Sequence, residues 1–291
     1  MPPADDAAPP IAGTAEAAKK PAPSNLALRV ASAAVMAPVA VGVAWWGSWP
    51  FALFWAAAGI AVLWEWITLV AGRDYKLIVS SCGGAIAVAA LLAWREHPMV
   101  ALLIVALGAL AASIFAPRKD RLWILSGIAY AGTMMLAPIV LRSDSWLGFV
   151  AIVLIFAIVW TTDVLAYFTG RAIGGPKLMP SVSPKKTWSG AIGGTLGAIV
   201  AAVLVAALFG GFNLKAIAGV ALVLSVLSQA GDLLESHVKR HFGAKDASTL
   251  IPGHGGVMDR LDGFWAAVLA ACLIGLLRGG FDAPARGLLM W

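Results

Sequence analysis

Charged residues are scarce in this chain of 291 residues. Only 12% of its residues are charged, 15 acidic and 21 basic, whereas 60% are hydrophobic. The surface of a soluble domain of this length would need far more charged side chains. Together with a mean hydropathy of +0.87, this scarcity excludes an ordinary soluble domain and predicts an all-α polytopic membrane protein.

Cysteine is nearly absent, and its scarcity excludes a disulfide-stabilised protein and a protein with a cysteine-containing zinc site. Cys82 and Cys272 lie in separate apolar segments and offer no disulfide framework. The four histidines show no spacing with these cysteines that is typical of a zinc site. Both cysteines are most simply explained as small packing residues.

Nine apolar segments are long enough to cross a bilayer, which needs about 20 such residues. They lie at 27–47, 50–70, 77–94, 98–116, 122–141, 146–170, 188–209, 215–234 and 261–279. If the N-terminus is cytoplasmic, all but five of the 21 basic residues fall on the cytoplasmic side, as the positive-inside bias requires. The five exceptions are Arg95, Arg142, Lys215, Arg278 and Arg286.

The composition also predicts the domain organisation. Residues 1–25 are rich in alanine and proline and are predicted to form a disordered cytoplasmic tail. Residues 26–291 are predicted to form a single integral-membrane domain. The net charge of +6 does not indicate nucleic acid as a partner, because the basic residues follow the membrane topology.

The remaining polar residues are concentrated in two segments, 171–187 and 235–260, both predicted to be cytoplasmic loops in the C-terminal half. The second combines cations, a glycine-containing turn and carboxylates, and so suggests phosphoryl or nucleotidyl chemistry at a membrane surface. Its candidate phosphate-binding residues are Lys239, Arg240, Lys245, His254, Gly255, Gly256 and Arg260.

The first polar segment carries a weaker signal. Ser183-Pro184 predicts a turn, and Lys185 and Lys186 provide charge for phosphate groups. Thr187 is expected either to cap the next helix or to bind phosphate at its N-terminus. Two lysines at a membrane boundary are equally consistent with a topology signal alone.

Several carboxylates lie within or beside the apolar segments, where a charge costs about 2.5–3.5 kcal/mol and therefore points to function. Asp232 is predicted to end one helix and Asp259 to begin the next, so the loop between them would bring both together as Mg²⁺ ligands. Asp163 is expected to face a water-filled cavity. Pairing with Lys239, Arg240 or Arg260 is the alternative for Asp232, Glu235, Asp259 and Asp262, and a polar interior partner is the alternative for Glu65.

Residues 236–262 closely resemble the signature of the phosphatidate cytidylyltransferase (CDP-diacylglycerol synthase) family. The matching positions are Ser236, Lys239, Arg240, Lys245, Asp246, Ser248, His254, Gly255, Gly256, Asp259, Arg260 and Asp262. Residues 163–171, 183–188 and 229–236 also resemble family motifs, so the likeness is strongest over 160–275. Ser189 departs from the pattern, since many members carry an acid there, and it receives no role.

The resemblance implies an enzyme of the bacterial inner membrane that converts CTP and phosphatidate into CDP-diacylglycerol and pyrophosphate. It also implies Mg²⁺ as cofactor, with a second cation as an option, and a homodimer as one candidate assembly. Catalysis would consist mainly of charge neutralisation and alignment, because the lipid phosphate is already an anion. The residues expected to carry catalysis are Asp163, Asp232, Lys239, Asp246 and Asp259, with Asp232 and Asp259 also holding the metal.

Three alternatives remain open at this point. A transporter with acids at the midplane would be expected to show two repeated halves with broken helices, and the sequence shows no such repeat. A CTP-dependent kinase of a polyisoprenoid alcohol, or a cytidylyltransferase with another lipid acceptor, would need similar cations and carboxylates. Only the signature favours phosphatidate over these acceptors.

Overall fold

The computed structural model describes residues 25–72, 75–251 and 255–291, with side chains from Ala34 onward. In these ranges the chain forms ten helices and one two-stranded hairpin. The elements are α1 (Asn25–Trp46), α2 (Ser48–Ala71), α3 (Lys76–Trp94), α4 (Pro98–Phe115), α5 (Arg121–Leu141), α6 (Leu147–Ile173), β1 (Lys177–Met179), β2 (Ser183–Thr187), α7 (Trp188–Phe209), α8 (Leu214–His241), α9 (Met258–Gly279) and α10 (Pro284–Leu289).

The prediction of an all-α polytopic membrane protein is confirmed. Within the described ranges, the eight helices α2 to α9 are long and apolar enough to cross a membrane. They correspond to eight of the nine predicted segments. The first segment corresponds to α1, whose side chains are described only from Ala34, and the predicted tail lies outside the described residues apart from Asn25. The cytoplasmic position of the N-terminus stays a prediction.

Two polar stretches fold differently from the prediction. Helix α8 continues to His241 and α9 begins at Met258, so the predicted loop 235–260 is confined to the residues between them. A hydropathy criterion ends a segment where polar residues begin, but a helix ends only where its backbone hydrogen bonds end. Basic side chains in the last turn of α8 favour this extension, because they interact well with the helix dipole.

The prediction of a turn at Ser183-Pro184 is wrong. Both residues lie in strand β2, which pairs antiparallel with β1. The turn comes earlier, at residues 180–182, where the Val182 N–H donates to the Met179 carbonyl at 3.2 Å. Proline is compatible with this position because a two-stranded hairpin consists only of edge strands.

Helices α6 and α7 pack closely because α7 is rich in glycine. A Cβ at Gly190 would lie 2.7 Å from the Ala166 carbonyl oxygen, and one at Gly194 would lie 2.6 Å from that of Thr162. Small residues allow such close contact between membrane helices. The glycines therefore bring the start of α7 against the part of α6 that carries Asp163.

A buried polar network ties α8 to these two helices. The hydroxyls of Thr162 on α6 and Ser225 on α8 lie 2.8 Å apart. Thr195 on α7 accepts from Ser225 at 3.1 Å and from the Gln229 amide at 3.0 Å. Hydrogen bonds between helices satisfy polar groups that the hydrocarbon region cannot. The network fixes the three helices that carry the candidate site.

Candidate active site

A cavity of about 630 Å³ lies between α6, the hairpin, α7 and α8. Its walls carry four basic side chains and two carboxylates, a composition that suits a polyanionic ligand. Its volume is that of a small-molecule site. The charged lining residues are Asp163, Arg171, Lys177, Lys185, Lys186 and Asp232.

The ion pair between Lys186 on β2 and Asp232 on α8 joins the two polar segments at this cavity. Ser236, one turn further along α8, donates to Asp232 at 3.4 Å. Asp163 on α6 interacts electrostatically with Asp232, Lys186 and Arg260. The structure thus brings together residues from both motifs that the sequence placed in one site.

Thr187 caps helix α7. Its hydroxyl oxygen accepts a hydrogen bond from the Gly190 N–H at 3.1 Å. Of the two roles expected for this residue, the structure shows the helix cap. Ser189, to which the sequence assigned no role, donates to the Gly174 carbonyl and so ties the start of α7 to the end of α6.

Lys239 is buried between two acids. Its ammonium lies 2.5 Å from Asp259 Oδ1 and 3.0 Å from Glu235 Oε2. All three residues are buried, and none of them lines the cavity. For Glu235 the expected alternative, pairing with a cation, is what the structure shows. Lys239 and Asp259 neutralise each other instead of facing the space where a ligand would bind.

Asp259 also organises the signature loop between α8 and α9. Its Oδ2 atom accepts from the Ala247 N–H at 2.8 Å and from the Gly256 N–H at 2.7 Å. Both of its oxygens therefore have protein partners. Gly255 has a φ of +83°, and a Cβ there would lie 2.7 Å from Asp259 Oδ2. The glycine therefore lets the backbone approach a carboxylate of the chain itself.

Glu65 on α2 is fully buried and reaches the same loop. It accepts hydrogen bonds from the Ser248 hydroxyl and from the N–H groups of Val257 and Met258, at 2.7–2.8 Å. The sequence signal for this contact is an acid within an apolar segment, between two tryptophans. The polar interior partner expected for Glu65 is thus the start of α9.

The other predicted residues lie around the cavity or outside it. Ser183 lies on β2 but does not line the cavity. Arg240 donates to the Ala244 carbonyl at 3.0 Å, and Lys245 and Asp246 are exposed in the loop. Asp262 accepts from the Gly263 N–H at 2.7 Å and lies near Asp232 and Glu235. His254 lies outside the described residues.

Two cavity cations were not assigned by the sequence. Arg171 and Lys177 were seen only as part of a basic cytoplasmic segment, yet both line the cavity. Between them Gly174 and Gly175 have φ values of +68° and +99°, so the chain reverses from α6 into β1. The sequence signal that could have identified these two cavity residues is a pair of glycines with a basic residue on either side.

The donor set at the cavity fits Mg²⁺ bound together with a substrate. Among the described residues, no three acidic, histidine or cysteine side chains are grouped for metal binding. Asp163 and Asp232, however, both line the cavity. Mg²⁺ is commonly held by one or two carboxylates, substrate phosphates and water. Asp259 is less available, because it is buried and does not line the cavity.

An apolar groove of about 470 Å³ adjoins the cavity. It is lined mainly by side chains of α7 and α8, and it shares Leu178, Ala191 and Gln229 with the cavity. A polar pocket and an apolar groove therefore meet at a common wall. Both α7 and α8 have the length and composition of membrane-crossing helices.

A polytopic membrane protein with such a paired site has the features of an enzyme that joins a phosphorylated polar substrate to a lipid. Comparison with known proteins specifies the family. The model of the cytidylyltransferase family matches residues 27–277. The chain belongs to this family.

Curated relatives share most of the chain. It is 41% identical over 266 residues to the phosphatidate cytidylyltransferase of Brucella suis biovar 1 (strain 1330), covering 90% of this chain and 97% of the relative. It is 42% identical over 258 residues to that of Brucella abortus biovar 1 (strain 9-941), covering 87% and 94%. The enzyme of the same name from Staphylococcus haemolyticus (strain JCSC1435) is 42% identical over 147 residues, or 50% of this chain and 55% of the relative.

Proposed function

We propose that this membrane protein transfers the cytidylyl group of CTP to phosphatidate, giving CDP-diacylglycerol and pyrophosphate for phospholipid synthesis. The observation that carries the proposal is the cationic, carboxylate-bearing cavity that shares a wall with an apolar groove. Membership of the cytidylyltransferase family and the names of the relatives support the same reaction. Because the relatives are bacterial, we place the enzyme in the bacterial inner membrane.

The four cavity cations, Arg171, Lys177, Lys185 and Lys186, bind phosphate groups in this proposal. Asp163 and Asp232 would hold Mg²⁺ at the edge of the cavity, and the metal would supply charge neutralisation on the phosphates. A second cation remains an option of the same proposal. Lys239 and Asp259 pair with each other, and in this proposal they stabilise the helices that carry the site.

The reaction requires no strong base. A phosphatidate oxygen attacks the α-phosphorus of CTP, a new P–O bond forms, and the bond from the α-phosphorus to the bridging oxygen breaks. Pyrophosphate leaves with the electron pair. Since the attacking group is already an anion, the chain's task is to align two phosphates that repel each other and to neutralise their charge. Lysines and an arginine around one cavity meet that requirement.

The groove between α7 and α8 would take the hydrocarbon part of phosphatidate. The acyl chains already lie in the hydrocarbon of the bilayer, so the groove would orient them by van der Waals packing and not by removing them from water. The shared wall formed by Leu178, Ala191 and Gln229 would then place the lipid phosphate at the entrance of the cationic cavity. A soluble acceptor would not need this groove.

The proposal is tested by the transfer of label from α-³²P-CTP into chloroform-soluble lipid. Purified protein in phospholipid nanodiscs would be supplied with phosphatidate and Mg²⁺. We expect label that depends on both, and its loss with a chelator or in Asp232→Asn. Lys215→Ala, at the far end of the same helix and exposed, is the matched control that should remain active.

The outcomes separate the candidates. Label that appears only with another lipid phosphate would overturn phosphatidate as acceptor, and transfer of the terminal phosphate from γ-³²P-CTP to a polyisoprenoid alcohol would indicate the kinase instead. No turnover of CTP with any lipid would overturn the enzyme proposal. The homodimer implied by the resemblance is tested separately by sedimentation in detergent.

A further inference from the structure

Glu65 makes an unusual set of contacts for an acid in the middle of an apolar helix. Its side chain is fully buried on α2, far in sequence from the signature loop. Its Oε1 atom accepts from the Ser248 hydroxyl at 2.7 Å and the Val257 N–H at 2.8 Å. Its Oε2 atom accepts from the Met258 N–H at 2.7 Å. Both oxygens are therefore directed at the loop and at the start of α9.

These contacts supply what helix α9 lacks locally. Val257, at its N-cap position, makes no capping hydrogen bond through its own side chain. The first N–H groups of any helix have no partner within the helix, and a negative charge there is stabilised by the helix dipole. Glu65 thus serves as an N-terminal cap that is contributed by a different helix.

The loop is shaped to admit this carboxylate. A Cβ at Gly256 would lie 2.5–2.7 Å from the carboxylate atoms of Glu65. Only glycine leaves that space free. The Gly256 N–H is meanwhile held by Asp259 at 2.7 Å, so the two carboxylates share the backbone donors of one short segment.

We propose that Glu65 is a positioning residue for cytidylyl transfer. By capping α9 it fixes the first turn of that helix, and with it Asp259 and Arg260. Asp259 holds the signature loop and pairs with Lys239 on α8, the helix that carries Asp232, and Arg260 follows Asp259 in the first turn of α9. Glu65 touches no cavity wall itself and acts through these residues. The inference rests on the proposed function.

Glu65→Gln isolates this role with the smallest change in volume. Whichever way the amide is oriented, its NH₂ group faces at least one of the three donors that the carboxylate accepted. We expect kcat to fall about 10–100-fold, because small displacements of a catalytic group have effects of that size. The KM for CTP should stay within about threefold of wild type, since Glu65 hydrogen-bonds to none of the elements that form the cavity, which are α6, the hairpin, α7 and α8.

Trp66→Phe is the matched control. It removes a partly buried hydrogen bond from the next residue of α2, the one that Trp66 donates to the Trp123 carbonyl at 2.8 Å, and it leaves the loop contacts in place. We expect it to lower the melting temperature and to leave kcat within about twofold. Amide hydrogen exchange gives a readout that needs no substrate: Glu65→Gln should speed exchange over residues 247–251 and 255–258, and Trp66→Phe should not.

Ser248→Ala keeps the test decisive if Glu65→Gln does not fold. It removes one of the three donors and retains the carboxylate, so a loss of about 2–5-fold in kcat is expected in the same assay. The proposal is overturned if Glu65→Gln folds with wild-type kcat and wild-type exchange, or if its loss of kcat only parallels the folded fraction. A wild-type protein without activity would overturn the proposed function instead, and the exchange result would still decide whether Glu65 orders the loop.

Discussion

Replacing Lys186 with methionine is expected to slow cytidylyl transfer about 10²–10³-fold and to leave the fold intact. Lys186 lies on the hairpin and pairs with Asp232 across the cavity. Methionine keeps the length and most of the volume of the side chain but removes its charge. Asp232 would then face Asp163 across a cavity that has lost one of its four cations.

The expected effect on stability is small. The side chains of Lys186 and Asp232 are 29% and 26% exposed, so water screens their attraction. Ion pairs with such access to solvent contribute about 1 kcal/mol or less. Loss of a charged contact to the transition state costs about 2.7–4 kcal/mol, or about 10²–10³-fold in rate. Activity should therefore fall far more than the free energy of unfolding.

The assay compares initial rates of lipid labelling with thermal unfolding of the same preparations. Lys186→Arg should retain part of the activity because it keeps the charge, and Lys215→Met is the control for removing a lysine elsewhere. The double variant Lys186→Met/Asp232→Asn decides between a structural and a functional pair. If the double variant is more active than either single variant, the two side chains serve only to neutralise each other. The proposed roles of Lys186 in phosphate binding and of Asp232 in metal binding are then refuted.

Three further predictions concern the support of the site. Lys239→Met leaves Glu235 and Asp259 buried without their cation and should cost about 3–5 kcal/mol, measured as a lower melting temperature and a lower yield of folded protein. Thr187→Ala should lower the free energy of unfolding by about 1 kcal/mol because it removes the cap of α7, whereas Thr187→Ser should keep the cap. Equal melting temperatures for the two variants would contradict this. Gly256→Ala places a Cβ against Glu65 and should lower kcat more than Gly243→Ala, which meets open space and carries only a backbone penalty of about 1–2 kcal/mol.

The membrane spans could be predicted from the sequence because the bilayer imposes a simple requirement. A helix must present about 20 apolar residues, whatever it packs against. Even the glycine-rich segment at 188–209 is confirmed as α7, and its glycines have a packing reason in the contact with α6. Asp163, Lys186 and Asp232, which the sequence assigned to one site, also line one cavity, and their roles stay predictions.

Contacts between distant polar residues could not be predicted in the same way. Hydropathy marks where a helix leaves the hydrocarbon region, not where it ends, so Lys239 and Arg240 were expected in a loop although they lie on α8. Nothing local reveals that Lys239 pairs with Asp259 and not with a phosphate. Asp232 and Asp259 were likewise expected to lie together because both were predicted at helix ends. In the structure Asp232 lies well inside α8.

The glycine pair at 255–256 shows where such inference reaches its limit. Two consecutive glycines indicate that something approaches the backbone closely, and a nearby cluster of cations suggests a phosphate. In the structure that space is occupied by the carboxylates of Asp259 and Glu65. The family-like motifs therefore contain two groups that differ in position: residues that line the cavity, such as Asp232, and residues that hold the loop, such as Lys239 and Asp259. In the proposed function both groups are required, so loss of activity on mutation does not by itself distinguish them. The distinction comes from stability: a cavity residue can be neutralised with little loss of folding free energy, whereas a buried supporting charge cannot.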